Sequence, residues 1–159
     1  MESRAKLLGH PIHQMLIVFP LGLLATAVIV DIVYFAGHAL MFAEVSYYLI
    51  IAGLIGGAIA APFGLIDWLA IPRNTRAKRI GAMHGGGNVI VLLLFLASAL
   101  LRAQLPSAPP MAAYVCSFGG AALALVTAWL GGELVDRLGI GVSDGAHADA
   151  PSSLRHRAI

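Results

Sequence analysis

Charged residues are scarce in this 159-residue chain. Lys, Arg, Asp and Glu together make up 11% of it, whereas 59% of the residues are hydrophobic. A soluble globular domain has about 25% charged residues, so the composition excludes an ordinary soluble domain and indicates an integral membrane protein. The net charge is only +2, and the basic residues stand in short blocks beside apolar segments. We therefore expect the lipid bilayer as a partner, and no nucleic acid.

Cysteine is almost absent, and no catalytic nucleophile stands beside a histidine. Cys116 is the only cysteine, which excludes a disulfide within the chain. The histidines at the ends of the apolar segments lie towards one side of the predicted bundle. The candidate nucleophiles lie towards the opposite side: Ser46, Ser98 and Ser117. We therefore expect no hydrolytic enzyme, and an electron-transfer or accessory subunit instead of an enzyme acting on its own.

Four apolar segments are long enough to cross a bilayer as helices, which takes about 20 residues. Short connections between them predict an all-α, up-down-up-down four-helix bundle formed by residues 1–142. The polar residues 143–159 predict a flexible tail. The predicted spans are residues 12–36, 45–71, 80–101 and 111–135.

The distribution of Lys and Arg predicts the orientation of the bundle. Three basic blocks fall on one side: before the first span, between the second and third spans, and after the fourth. The opposite loops contain only Arg102. By the positive-inside rule, the side with the blocks is cytoplasmic, so both termini are expected in the cytoplasm. The blocks consist of Arg4, Lys6, Arg73, Arg76, Lys78, Arg79, Arg137, Arg155 and Arg157.

Small residues at helical spacing predict where the spans approach each other, because helices in lipid pack through small side chains. The second span has Gly53, Gly57, Ala60 and Gly64, and Asp67 continues this stripe. The fourth span has Gly120, Ala124, Ala128 and Gly131 or Gly132. Such stripes serve packing within one chain and contacts in a homo-oligomer equally well.

Polar residues gather at the basic end of the predicted spans. Ionisable groups are costly in a bilayer and usually face the interior of a bundle, so their common depth predicts a polar cluster. Asp31 stands apart: it follows His13 by 18 residues, about five helical turns, on the same face near the opposite end. The cluster comprises His10, His13, Asp67, His84, Asn88 and Glu133.

One interpretation of the cluster is a b-type haem held by imidazoles from two facing helices. His13, or His10, supplies one ligand and His84 the other. The glycines at 85–87 directly follow His84 and let a flat macrocycle approach the backbone. This arrangement predicts a small electron-transfer subunit with a redox partner protein.

Other residues take supporting roles in the haem interpretation. Arg79, with Arg73 and Arg76, would pair with the haem propionates. Asp67 or Asn88 would hold a ligating imidazole by its second ring nitrogen.

Three alternatives to haem stay open. A divalent metal is one, held by His10, His13 and His84 together with Asp67 or Glu133. A proton or ion relay with Asp31 as the remote station is another. The third is a cofactor-free cluster that serves ion coupling or the docking of a partner.

Four stretches of the chain resemble a bacterial membrane-protein family known as domain of unknown function 2231. They are "GHPIHQMLIVFPLGLL" with Asp31 following, "GLIDWLAIP", "RIGAMHGGGNVIVLLLF" and "WLGGELVDRLGIGV". The family often has a proline where this chain has Gln14. It often ends the fourth span with an aromatic residue and a histidine, where this chain has Asp136 and Leu138, which removes a candidate ligand.

The resemblance implies a four-helix protein of the bacterial cytoplasmic membrane. Some relatives are fused to a Rieske-type iron–sulfur domain, which implies electron transfer by analogy. This chain lacks the cysteines for such a cluster.

Overall fold

The computed structural model describes residues 1–154 and shows a bundle of long helices. The last residues of the predicted flexible tail, 155–159, lie outside the described residues, and with them two arginines of the third basic block. The elements are β1 (Lys6–Leu7), β2 (His10–Pro11), α1 (Ile12–Leu16), α2 (Val18–Gly37), α3 (Leu40–Ala70), α4 (Arg76–Arg102) and α5 (Met111–Gly132), followed by a π-helical turn (Glu133–Arg137).

The structure confirms four helices long and apolar enough to cross a membrane. They comprise Ile12–Gly37, Leu40–Ala70, Arg76–Arg102 and Met111–Arg137, close to the predicted spans. Some helices extend beyond the apolar residues to a polar residue that caps the helix end. Thr75 is one such cap, because its hydroxyl accepts a hydrogen bond from the Lys78 amide at 3.1 Å and satisfies a free N–H of the first turn of α4.

Consecutive helices are joined by short connections and form two hairpins. The first hairpin contains α1, α2 and α3, and the second contains α4, α5 and the π-helical turn. The most extensive packing lies within each hairpin, and α3 with α4 and α2 with α5 join the two. The shared core consists of Leu24, Ala27, Ile50, Val91, Phe95 and Ala99.

Most residues of the predicted small-residue stripes lie inside the bundle, whereas Ala128 is exposed and a Cβ added to Gly132 would meet nothing within 4 Å. A Cβ added to Gly53 would lie 2.6 Å from Leu24 Cδ2, and one added to Gly120 would lie 3.0 Å from the Phe95 ring. Glycine therefore allows each hairpin to close. The outward side chains include large hydrophobics such as Leu125, which suit contact with lipid.

Residues 1–11 fold back over one end of the bundle, which we name the termini end. The strands β1 and β2 pair through a tight turn at Leu8 and Gly9, both with positive φ. The Met1 ammonium donates to the Gly139 carbonyl at 2.9 Å, so the N-terminus meets the segment that follows the fourth span here. The side of the membrane that this end faces stays a prediction.

The described part of the tail contacts this N-terminal segment. Ser143 Oγ donates to Glu2 Oε1 at 2.9 Å, and Ser153 Oγ donates to the Leu8 carbonyl at 3.0 Å. A hydrogen bond from Lys6, with further bonds from Ser143 and the Asp144 amide, lowers the pKa of Glu2 to about 2. Glu2 therefore stays ionised, and keeps these hydrogen bonds, at acidic pH values where an ordinary glutamate is protonated.

Candidate functional site

His13 is held against α3 by a backbone carbonyl and a glycine. Its Nδ1 lies 3.0 Å from the Ala60 carbonyl oxygen. A carbonyl only accepts hydrogen bonds, so Nδ1 carries a proton, and the corresponding neutral tautomer has its lone pair on Nε2. The ring lies flat on Gly64, where an added Cβ would be 2.8 Å from the His13 Cε1 atom.

His84 is held against α5 in the same way. Its Nδ1 donates to the Thr127 carbonyl at 2.8 Å, which again leaves the lone pair on Nε2. A Cβ added to Gly131 would lie 3.0 Å from the His84 Cε1 atom. The carbonyl stands four residues before the glycine in both cases. One helical turn therefore supplies both the hydrogen-bond acceptor and the glycine against which the ring packs, and we name each such pair of residues an imidazole seat.

Asn88 supports His84 without occupying its free nitrogen. Its amide nitrogen donates to the His84 carbonyl at 3.0 Å and lies 3.3 Å from Nε2 and 3.5 Å from Nδ1 of the ring. An atom nearly equidistant from both ring nitrogens lies over the ring face and not along a lone pair. The Asn88 Oδ1 accepts from the Thr127 hydroxyl at 3.0 Å, which links α4 to α5.

Asp67 holds the N-terminal segment, not an imidazole. Its carboxylate accepts the Ser3 hydroxyl at 2.8 Å, the Arg4 amide at 2.7 Å and the Ala5 amide at 3.3 Å. Both imidazoles are oriented by backbone carbonyls, so the role expected of Asp67 at a ring nitrogen falls to Ala60 and Thr127. Sequence reasoning missed these two because a carbonyl is present in every residue.

Three other residues expected at the site have different partners or are exposed. His10 is exposed on the N-terminal hairpin, where its Nε2 lies 3.3 Å from Ser153 Oγ. Glu133 pairs with Arg76 at 2.5 Å. Arg79 is exposed five residues before His84, about 140° around the helix from it at 3.6 residues per turn. Within residues 1–154, no three His, Cys, Asp or Glu side chains are grouped as a metal ion requires.

The glycines at 85–87 do not form the expected slot beside His84. Gly85 and Gly86 face open space, whereas a Cβ added to Gly87 would lie 2.6 Å from the Thr127 methyl group. The glycines that touch the imidazoles are Gly64 and Gly131, which sequence analysis assigned to helix packing.

A buried ion pair lies near the opposite end of the bundle. The Arg102 guanidinium donates to both carboxylate oxygens of Asp31, at 3.0 and 2.7 Å, and both side chains are 0% exposed. Sequence analysis placed Arg102 in a loop, but it is the last residue of α4 and points into the bundle. Asp31, expected as a remote relay station, is therefore bound by a cation in a bidentate pair.

Hydroxyl groups and an aromatic ring complete the surroundings of this pair. Ser98 Oγ accepts from Arg102 Nε at 3.1 Å, and Ser117 Oγ donates to Asp31 at 3.3 Å. Ser46 Oγ lies 3.4 Å from an Arg102 nitrogen, and the Tyr114 ring lies 4.7 Å below the guanidinium. Removing one partner of such a pair costs about 3–5 kcal/mol, because the other charge stays buried and unpaired.

These elements define a class: a four-helix membrane protein in which each helical hairpin seats one imidazole at the termini end. The chain belongs to the family described as "Predicted membrane protein (DUF2231)", whose model matches residues 9–144. The resemblance seen in the sequence is thereby confirmed. No curated protein and no solved structure shows significant similarity to the chain.

Proposed function

We propose that this protein is a small electron-transfer subunit that holds one b-type haem between His13 and His84. The observation that carries the proposal is the matched state of the two imidazoles. Each donates Nδ1–H to a carbonyl and keeps its Nε2 lone pair. Histidines that ligate a metal usually donate their other ring N–H in this manner, which fixes the tautomer and the ring orientation.

The surroundings of the imidazoles support the same role. Gly64 and Gly131 let each ring lie against a neighbouring helix, which fixes the two rotamers before any ligand binds. Asn88 lies over one face of the His84 ring and not along the Nε2 lone pair. The bound haem would supply one-electron exchange, and the chain would supply the two ligands and the apolar surroundings.

The proposed setting is the bacterial cytoplasmic membrane, with the termini end facing the cytoplasm. A groove of about 530 Å³ opens at this end, lined by Arg73, Asn74, Thr75, Lys78 and Arg79. Its positive charge suits an acidic surface on a redox partner. The same groove favours a second candidate function, a cofactor-free subunit that docks such a partner.

The test is a reduced-minus-oxidised visible spectrum of the full chain, expressed with haem precursor and purified in detergent, beside a metal analysis. We expect sharp α and β bands and a Soret shift, which disappear in H13A and in H84A. The control variants H10A and H147A should keep them, because His10 and His147 are exposed and neither is a proposed ligand.

Two results would contradict the haem proposal. A flat spectrum with a stoichiometric metal would indicate a metal site at the histidines. A flat spectrum without metal would favour the second candidate function, a cofactor-free docking subunit. Replacing Arg73 and Arg79 should then weaken the binding of the partner more than replacing His84 does.

A further inference from the structure

The two hairpins repeat the same polar positions at the same spacing. Asp31 follows His13 by 18 residues, and Arg102 follows His84 by 18 residues. Asp31 and Arg102 are therefore separated by 71 residues, and the two histidines by the same number. We name this separation the repeat interval. It places one imidazole and one charged group at equivalent positions of each hairpin.

The serines at the buried ion pair follow the repeat interval too. Ser46 and Ser117 stand one repeat interval apart in the chain, and the hydroxyls of both lie at the ion pair. The helices that carry them begin at Leu40 and at Met111, which are again one repeat interval apart. The second helix of each hairpin thus contributes one serine at an equivalent position beside the ion pair.

The packing contacts repeat as well. Leu24 lies on Gly53 in the first hairpin, and Phe95 lies on Gly120 in the second. Phe95 follows Leu24 by one repeat interval, whereas Gly120 follows Gly53 by 67 residues, four fewer than that interval. These equivalences relate backbone positions and contacts, whatever the side-chain type.

One helical turn distinguishes the two hairpins. The imidazole seats are Ala60 with Gly64 and Thr127 with Gly131, and they stand four residues closer together than the repeat interval. The helix α5 is therefore four residues shorter than α3 between its serine and its seat. Four residues are about one turn of α-helix, so the seat stays on the same face of the helix.

We propose that the chain is a fused pair of parallel helical hairpins, related by a pseudo-two-fold axis along the bundle, and that Asp31 and Arg102 are the contact that makes each hairpin select the other. Both hairpins start at the termini end, so the repeat is parallel and not inverted. The partner that each hairpin surface fits is the opposite half of this chain. This inference rests on the contacts alone and is independent of any cofactor.

The charges at the equivalent positions give the interface its selectivity. Two copies of the first hairpin would bring Asp31 against Asp31, and two copies of the second would bring Arg102 against Arg102. Like charges with no exposure to water are strongly unfavourable. Only the mixed pair neutralises the buried charge, so the two halves are complementary to each other and not to themselves.

A charge swap in the full chain tests the proposal. The variants D31R and R102D each bury two like charges, and we expect the melting temperature in detergent to fall by on the order of 10 °C. The double variant D31R/R102D should recover at least half of that loss. Recovery requires position 31 to accept a guanidinium and position 102 a carboxylate, which equivalent surroundings allow.

The recovery should be incomplete for a stated reason. The positions equivalent to Ser98 and Tyr114 are Ala27 and Ala43, so a guanidinium at position 31 lacks the hydroxyl and the ring that contact Arg102.

The exposed pair Glu2 and Lys6 is the matched control. Reversal of the Lys6 charge there should change the melting temperature little, since exposed ion pairs contribute little to stability.

The outcome is decisive even where a single variant fails to fold. If D31R and R102D do not accumulate in the membrane and the double variant does, the selectivity of the pair is supported. A double variant that melts no higher than the single variants, or fails to accumulate as they do, overturns the proposal.

Discussion

At the scale of single residues, a backbone carbonyl decides which nitrogen of each histidine carries the proton. The neutral imidazole has one donor and one acceptor, and Ala60 and Thr127 both take the donor. The tautomer of each imidazole is thus fixed by a backbone carbonyl, a group that every residue type carries. The glycines then set how close each ring comes to its carbonyl.

We expect G131A to disturb His84, whereas G132A leaves it unchanged. An added Cβ at 131 would lie 3.0 Å from the ring, and one at 132 meets nothing within 4 Å. Both changes gain the same helix propensity, about 1 kcal/mol, so their difference isolates the contact. The loss of one hydrogen bond is worth about 1 kcal/mol, which lowers the melting temperature of G131A by about 2–4 °C relative to G132A.

The direct measurement is the ¹⁵N spectrum of labelled histidine in the purified protein. His84 should show the tautomer protonated at Nδ1 in the unchanged chain and in G132A. Its ring signals should shift in G131A. An unchanged His84 signal in G131A would show that the His84 ring does not pack against Gly131.

At the scale of elements, the N-terminal segment is attached to the bundle through one carboxylate. Asp67, near the end of α3, accepts three groups of residues 3–5. This contact holds the short strands β1 and β2 in place, although two residues each are too few for a stable isolated hairpin. The tail then covers the strands from the other side.

We expect D67A to release residues 1–11 without disrupting the helices. Hydrogen bonds to a charged group contribute about 1.5–3 kcal/mol, so amide exchange at Arg4 and Ala5 should become roughly 10- to 100-fold faster. Hydrogen–deuterium exchange by mass spectrometry measures this change. The control D136A removes an exposed carboxylate and should leave the exchange at these amides as it was. Equal protection in D67A and the unchanged chain would contradict the prediction.

At the scale of the whole molecule, all four helices contribute to a fully buried charge pair far from the termini end. Asp31 is on α2, Arg102 on α4, and Ser46 and Ser117 lie on α3 and α5. A bidentate pair of this kind specifies the relative rotation and depth of helices, which lipid-facing apolar side chains do not. We infer that it supplies the register of the bundle, and the imidazole seats follow from that register.

We expect the termini end to face the cytoplasm, since the described basic blocks lie there. A single cysteine introduced at Ala150 in a C116S background should react with a membrane-impermeant reagent only after the cells are opened. A cysteine at Ala108, in the opposite connection between α4 and α5, should react in intact cells. The reverse pattern would show that the positive-inside rule fails for this chain.

The sequence by itself determined the four spans, because apolar runs of about 20 residues have one stable arrangement in a bilayer. It also determined the interior stripes: Gly53, Gly57 and Gly120 contact side chains inside the bundle as their spacing predicted. The sequence singled out His13 and His84 as candidates for a similar reason, since an imidazole at the edge of an apolar run is costly unless it has a partner.

Only the tertiary structure decided the partners of the polar groups. Arg102 ends an apolar run and looks like a loop residue in the sequence, and the carboxylate that it binds stands 71 residues away on another helix. A signal was present in the equal spacing of the two histidines from Asp31 and Arg102. Opposite charges at equivalent positions conceal such a repeat in the sequence. The two residues that form the strongest contact between the hairpins, an aspartate and an arginine, are among the least similar residue types. Helix rotation and depth, set by packing of the complete bundle, were needed to bring the two charges together.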